Sequence, residues 1–226
     1  MKVKITDNFT ISIHEEGIVL CGVFLFLTIT SLMSTGLHTL TLIFLICSYF
    51  LISFFRDPER VIPSNKNVIV SPADGTIIDI TRSVLPKELE LNDSNEYTKI
   101  SIFLSPLDVH IQRIPVDSVV EKIKYISGLF ISATLDKSSV NNERNIVLLK
   151  NKSDDKRICV VQIAGIVARR IVSYLKDNDE CKIGNRYGII KFGSRVEVYL
   201  PLNYNISVLK GQTLIAGETV IGGVGV

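Results

Sequence analysis

The sequence predicts a mainly β catalytic-type domain, barrel-like or sandwich-like, preceded by an N-terminal hydrophobic helical hairpin. Two long apolar runs without formal charge lie near the N-terminus, and nine short β-branched runs separated by turn residues follow them. Strand-like runs do not alternate with helix-like ones, which argues against an α/β fold. With 226 residues, 46% of them hydrophobic, and a mean hydropathy of +0.33, the chain suits one buried domain plus a membrane segment.

The apolar runs are Gly17 to Met33 and Leu37 to Phe55, with Ser34, Thr35 and Gly36 as the turn between them. Each holds about 17 to 19 residues, or about 26 to 29 Å of helix, close to the roughly 30 Å of a hydrocarbon core. A signal peptide fits poorly. Lys2 and Lys4 are mixed with Asp7, Glu15 and Glu16, and no small-residue cleavage site precedes a polar region. Arg56, Arg60 and Lys66 follow the second run, whereas the turn has no Lys or Arg, so the positive-inside bias puts both ends in the cytoplasm. The expected division is a membrane-associated hairpin over 1–56 and a domain over 57–226 facing the cytosolic leaflet of the cell membrane. A helical hairpin buried in a soluble core is the alternative.

In the domain, the expected strands are Val68 to Val70, Gly75 to Ile80, Thr98 to Leu104, Val119 to Ile126, Asn145 to Leu149, Arg157 to Ala168, Gly188 to Lys191, Val196 to Leu200 and Ile206 to Val208. Arg82 to Glu96 reads as a polar excursion, and Ile166 to Ser173 suits either strand or helix. Val208 to Val220 carries two glycine turns that suit a terminal hairpin. That run resembles the turns of biotinyl and lipoyl carrier domains, but Lys210 enters a turn where a carrier lysine would occupy the tip.

A net charge of +2 shows no basic stripe, so nucleic acid is not an expected partner. Cys21, Cys47, Cys159 and Cys181 form no CxxC pair, which points to a reducing compartment and no structural zinc. No GxSxG, GxxxxGK[ST], HExxH or GxGxxG motif occurs, and three histidines, two of them near the apolar runs, cannot furnish a metallopeptidase site. No metal is expected.

Gly193-Ser194, inside the strand-like run Tyr187 to Pro201, admits two readings. Gly193 can form a β-bulge between apolar half-strands. Alternatively, the missing Cβ lets Ser194 Oγ attack the Gly193 carbonyl, and acyl shift, β-elimination and hydrolysis would leave a pyruvoyl group at 194. His110 is the imidazole of the β domain and the first candidate for acid/base work. If the segment is a strand, alternation puts Asp108 on the same face, where its carboxylate would orient the ring. Asp74 lies in a Ser71-Pro72-Ala73-Asp74-Gly75 turn, either as a simple linker or as a carboxylate held on a rigid turn. The polar run Thr134 to Asn145, with Asn142 and Arg144, is either a solvated loop or a set of donors for phosphate or carboxylate.

Together, Phe55 to Arg60 (FRDPER), Val70 to Gly75 (VSPADG), Phe103 to His110 (FLSPLDVH) with Arg113 and Pro115, Asn142 to Asn145 (NERN), Gln162 to Gly165 (QIAG) with Ala168 to Arg170, and Tyr187 to Pro201 resemble the phosphatidylserine decarboxylase family, in its short bacterial and archaeal form. The resemblance covers nearly the whole chain in order. It implies cleavage between Gly193 and Ser194 into a β chain of 1–193 and an α chain of 194–226 that stay associated, with a covalent pyruvoyl cofactor derived from Ser194. It further implies decarboxylation of phosphatidylserine, a membrane lipid, to phosphatidylethanolamine in phospholipid biosynthesis. Asp74 is carried over to maturation and Ser194 to the scissile nucleophile. His110 matches the first of two histidines that long-form members place three residues apart, and Arg113 stands at the second position, which leaves the maturation base open. Asp108, Arg113, Asn142 and Arg144 are candidates for orienting or substrate-binding roles. A membrane-anchored binding or carrier module, or a pyruvoyl-dependent decarboxylase of another amino acid, are the competing functions, and a higher oligomer is compatible with the sequence.

Overall fold

The computed structural model describes residues 2–6, 9–65, 67–91, 93–128, 142–165, 170–191 and 194–225. They form two compact units, Met1–Glu59 and Arg60–Val226.

The first unit opens with an antiparallel ribbon of β1 (Lys2–Thr6) and β2 (Phe9–Ser12), which the sequence reading does not anticipate because such short strands carry little periodicity. Helices α1 (Glu15–Thr35) and α2 (Thr39–Phe54) follow. His14 caps α1, its Nδ1 accepting from the Glu16 amide at 3.3 Å, and Glu15 and Glu16 in the first turn complement the helix dipole. The helices meet through polar and aromatic contacts: the Thr28 and Ser48 hydroxyls are 3.0 Å apart, Ser31 and Thr41 are 2.7 Å apart, and Phe24 meets Phe44 edge-on. Their outer faces expose Val19, Phe26, Met33, Ile46 and Tyr49, an apolar surface suited to lipid. Among the described residues, α1 is long and apolar enough to cross a membrane, whereas the 16 residues of α2 make a shorter apolar helix. This composition suits membrane association.

The second unit is built from β3 (Val68–Val70), β4 (Gly75–Val84), β5 (Glu96–Leu104), β6 (Ile111–Arg113), β7 (Ser118–Ile126), β8 (Arg144–Asn151), β9 (Arg157–Ala164), β10 (Arg170–Ser173), β11 (Glu180–Cys181), β12 (Arg186–Lys191), β13 (Ser194–Pro201), β14 (Asn205–Ile206), β15 (Thr213–Leu214) and β16 (Val220–Gly223). An eight-stranded sheet runs β11-β7-β8-β9-β13-β5-β4-β15, with three-stranded sheets β10-β12-β6 and β14-β16-β3. Bulges between Ile77 and Asp79 and between Val120 and Lys122 bend the large sheet. The mainly β expectation is met, and the part of Ile166 to Ser173 that is described, Arg170–Ser173, is strand. The C-terminal stretch is not the expected hairpin. Thr213–Leu214 pairs with β4 and Val220–Gly223 with β3 and β14, because each short segment gains more by completing an existing sheet edge than by pairing with the other.

Both faces of the large sheet are buried. Ile100, Ile102, Leu104, Val160, Val196 and Val198 face the main core with Ile69 and Ile190 of the small sheets and Ile114 just beyond β6. Ile146, Leu148, Val161, Ile163 and Tyr199 face the opposite side, where Leu85 and Leu89 of the excursion cover them. This explains why the central strands read as continuous apolar runs.

The excursion is tied down by Asp93, which accepts from the Tyr97 hydroxyl at 2.9 Å and from the Asn95 amide at 2.9 Å. Burial alone would raise the Asp93 carboxyl, but these hydrogen bonds and the Arg157 charge outweigh it and hold the group below its ordinary value. A carboxyl depressed on folding stabilises above its unfolded pKa and loses that contribution as pH falls through the folded value. Amide hydrogen exchange should therefore show residues 85–97 loosening below about pH 4 before the central strands do, and Asp93→Asn should remove that pH dependence.

Candidate active site

The site is created where the chain changes sheets. β12 ends at Lys191 in the small sheet and β13 begins at Ser194 in the large one, with two residues between them. Tyr187 to Pro201 is therefore not one bulged strand. The pairing of β13 with β5 and β9 runs without a register shift from Ser194 onward. Gly193 lies outside the described residues.

A second crossing runs alongside the first. Leu104, the last residue of β5, pairs with Ser194, and Ile111, the first of β6, pairs with Ile189. The His110 carbonyl accepts from the Ile190 amide at 3.2 Å. Residues 105–110 are thus pinned at both ends to the strands that flank the Gly193-Ser194 bond, and His110 is held on the strand that leads into it.

Ser194 is fully buried between Leu104 and Ala164, on the face that Val196 and Val198 turn to the main core. Its Oγ is buried and has no hydrogen-bond partner among the described residues. Such a hydroxyl costs about 1–3 kcal/mol relative to a satisfied one. A fold that needed only a small side chain here would be better served by Ala.

His110 is also fully buried. Its Nδ1–H donates to the Asp108 carbonyl at 3.0 Å, which leaves the lone pair on Nε2. The expectation that Asp108 orients the ring through its carboxylate is corrected by the backbone: Ser105 to Asp108 is a turn, not a strand. The Asp108 carboxylate closes that turn by accepting from the Ser105 amide at 2.7 Å. Asp108 orients His110 through its main chain.

Asp74 is buried in the turn between β3 and β4, where Arg60 Nη2 donates to both carboxylate oxygens at 3.0 and 2.7 Å and the Ala216 amide donates at 2.7 Å. Arg60, near the start of this unit, is read from the sequence as membrane charge, but its guanidinium is turned to Asp74. Only its place in the FRDPER run hinted otherwise. Gly75 has φ +142°, and a Cβ there would lie 2.3 Å from the Phe103 carbonyl oxygen, so no other residue suits the turn. Thr76 pairs with Phe103, and continuing that register sets Gly75 beside Leu104, about 10 Å and two strands from Ser194.

Arg113 is buried against the same turn. Its amide donates to the Pro72 carbonyl at 2.8 Å and its Nη1 to the Gly184 carbonyl at 2.8 Å. Asn142 Nδ2 donates to the carbonyl of Ala164, the strand partner of Ser194, at 2.6 Å. Arg144 goes elsewhere. It shares a register row with Ile163 and Arg195, on the face opposite Ser194, and its guanidinium meets Glu88.

The sequence reading also missed the groups that brace β13 from that opposite face. Arg195 Nη2 is 3.0 Å from Glu197 Oε1 and donates to Ser101 Oγ at 3.0 Å, while the Tyr199 hydroxyl donates to Glu197 Oε2 at 2.9 Å. Burial, then the Glu197 charge, pushes the Tyr199 phenol far above its usual range. The alternation Arg195, Glu197, Tyr199 was the available signal.

Residues 48–222 match the phosphatidylserine decarboxylase family. The chain is 46% identical to the phosphatidylserine decarboxylase proenzyme of Ehrlichia chaffeensis over 216 residues, covering 95% of this chain and 92% of that protein. It is 44% identical to the proenzyme of the same name from Rickettsia bellii over 219 residues, covering 97% and 93%. With the family's model matching most of the chain and this likeness spanning nearly its full length, the chain belongs to the phosphatidylserine decarboxylase family.

Proposed function

We propose that the chain is a proenzyme that cuts itself between Gly193 and Ser194 and then decarboxylates phosphatidylserine to phosphatidylethanolamine. The observation that carries this reading is the buried Ser194 hydroxyl, without a hydrogen-bond partner among the described residues, on the first residue of a central strand.

In maturation, Ser194 Oγ attacks the Gly193 carbonyl carbon and the peptide C–N bond breaks, giving an ester. Removal of the Ser194 α-proton with cleavage of the Cβ–O bond then releases Gly193 as a carboxylate, and water displaces the nitrogen as ammonia. In decarboxylation, the pyruvoyl ketone supplies the electron sink that pyridoxal phosphate supplies elsewhere. We assign His110 Nε2 to proton transfer in maturation, in decarboxylation or in both. Its tautomer, with Nδ1–H held by the Asp108 carbonyl, leaves Nε2 as the basic nitrogen. Asp74, clamped by Arg60 and bonded to Ala216, is assigned to holding the maturing site together. Arg113 takes no proton in this reading, since its guanidinium is occupied with the Gly184 carbonyl and an arginine stays charged.

The α chain of 194–226 would remain bound after cleavage. β13 sits between β9 and β5, β15 edges β4, and β16 pairs with β3, so removing the α chain would open two sheets. The apolar hairpin would hold the enzyme at the cytosolic face of the cell membrane, where the lipid headgroup lies. That surface disfavours a soluble amino-acid substrate. A binding module without chemistry would persist as one chain.

Ser194→Ala should give a single uncleaved chain on a denaturing gel, with no pyruvoyl-blocked fragment by mass spectrometry and no carbon dioxide release from phosphatidylserine. Processing of that variant would overturn the cleavage site. His110→Ala should slow cleavage, decarboxylation or both at least about 100-fold, whereas normal rates in both assays exclude the assigned role. Arg60→Ala leaves Asp74 without its guanidinium in a largely buried setting and should cost about 3 kcal/mol, read as a lower melting temperature with slowed maturation.

A further inference from the structure

Three amide side chains lie in line through the main core beside His110. Asn145 Nδ2 donates to Gln162 Oε1 at 2.9 Å, Gln162 Nε2 donates to Gln112 Oε1 at 2.9 Å, and Gln112 Nε2 donates to the His110 carbonyl at 2.8 Å. Gln112 and Gln162 are fully buried and Asn145 nearly so. Asn145 and Gln162 are register partners on β8 and β9, and Gln162 also pairs with Val196, two residues along β13 from Ser194. Gln112 belongs to β6 of the facing sheet. The chain of amides therefore bridges the two sheets on the face that carries Ser194, and its donors all point toward His110. Gly188 makes room for it, since a Cβ there would lie 3.2 Å from Gln162 Nε2 and 2.3 Å from the Val172 carbonyl oxygen.

Burying three amides is a poor way to stabilise a core. A satisfied neutral hydrogen bond nets about 1 kcal/mol, and apolar side chains of the same shape serve as well. What the amides add is direction. Each link has a defined geometry, and a fully satisfied buried network favours one arrangement of the groups it joins. Its last acceptor is the carbonyl of the residue whose ring carries the proposed proton transfer.

We propose that Gln112, backed by Gln162 and Asn145, is a positioning residue that fixes the His110 backbone and thereby the direction of its ring. This rests on the role assigned to His110 above. Gln112→Met keeps the volume and removes both hydrogen bonds. Gln112→Glu keeps both while its carboxyl is protonated, as burial favours, and sets a carboxylate against the His110 carbonyl once ionised.

The test uses the full-length protein purified in detergent, with three readouts: the rate of self-cleavage on denaturing gels, the pH profile of decarboxylation, and deuterium exchange at the His110 ring C2 by mass spectrometry. Gln112→Met is expected to melt within a few degrees of the wild type, to cleave roughly tenfold more slowly and to exchange the His110 proton severalfold faster. Gln112→Glu should match the wild type near pH 6 and lose activity toward pH 9 more steeply than it does. A folded Gln112→Met protein with unchanged cleavage and exchange overturns the proposal. If Gln112→Met does not fold, Gln112→Glu decides, and a wild-type pH profile in that variant overturns it. The two failures are distinguishable. A fully active His110→Ala removes the His110 assignment, whereas an inactive His110→Ala beside an unaffected Gln112→Met removes the positioning role alone.

Discussion

The pairing of β13 on both sides is the constraint on which the rest of this domain depends. From Ser194 onward the strand is locked to β5 and β9 without a register shift, and side-chain alternation then leaves no freedom. Ser194, Val196 and Val198 must face one core, and Arg195, Glu197 and Tyr199 the other. A slip of one residue would turn the Ser194 hydroxyl to the wrong face and bring the Arg195 charge into the apolar core. The Arg195–Glu197 pair with Ser101 and Tyr199 works against that slip, because a buried charge is tolerated only where its partner waits.

This register also accounts for how the proposed cleavage would occur in the middle of the fold without dismantling it. The proposed scissile bond falls between β12 and β13, which belong to different sheets, so each strand has its ladder without it. Everything beyond it is held by strand pairing, and by Asp74, which joins the turn before β4 to the Ala216 amide near the C-terminus. The same crossing brings the His110 segment alongside, since Leu104 and Ile111, on either side of residues 105–110, pair with the strands that enter and leave the Gly193-Ser194 step.

Much of the architecture could be read from local pattern. The two apolar helices, the central strands and the turn at Asp74-Gly75 each announce themselves by composition or periodicity over a few residues. β6 did not, because three residues bounded by a turn and a proline carry no period. The C-terminal segments were legible as strands, but their partners were not, since two short apolar stretches separated by glycines look the same whether they pair with each other or complete distant edges. For the site, Ser194, His110 and Asp74 stand out as candidates from residue type and motif. The partners were not: Arg60 for Asp74, the Asp108 carbonyl instead of its carboxylate, and Gln112 with Gln162 behind His110.

Residue chemistry and spacing alone therefore determined the apolar hairpin and the β class, because those rest on hydrophobic periodicity, whereas Ser194 stood out as the candidate serine only through the motifs around it. The tertiary structure decided which groups stand around that serine. Arg144, near Asn142 in sequence, turns to Glu88 on the far face, while Asn145, one residue on, joins the chain of amides on the near face. Alternation assigns neighbours to opposite sides of a sheet, but only long-range pairing says which side faces the site.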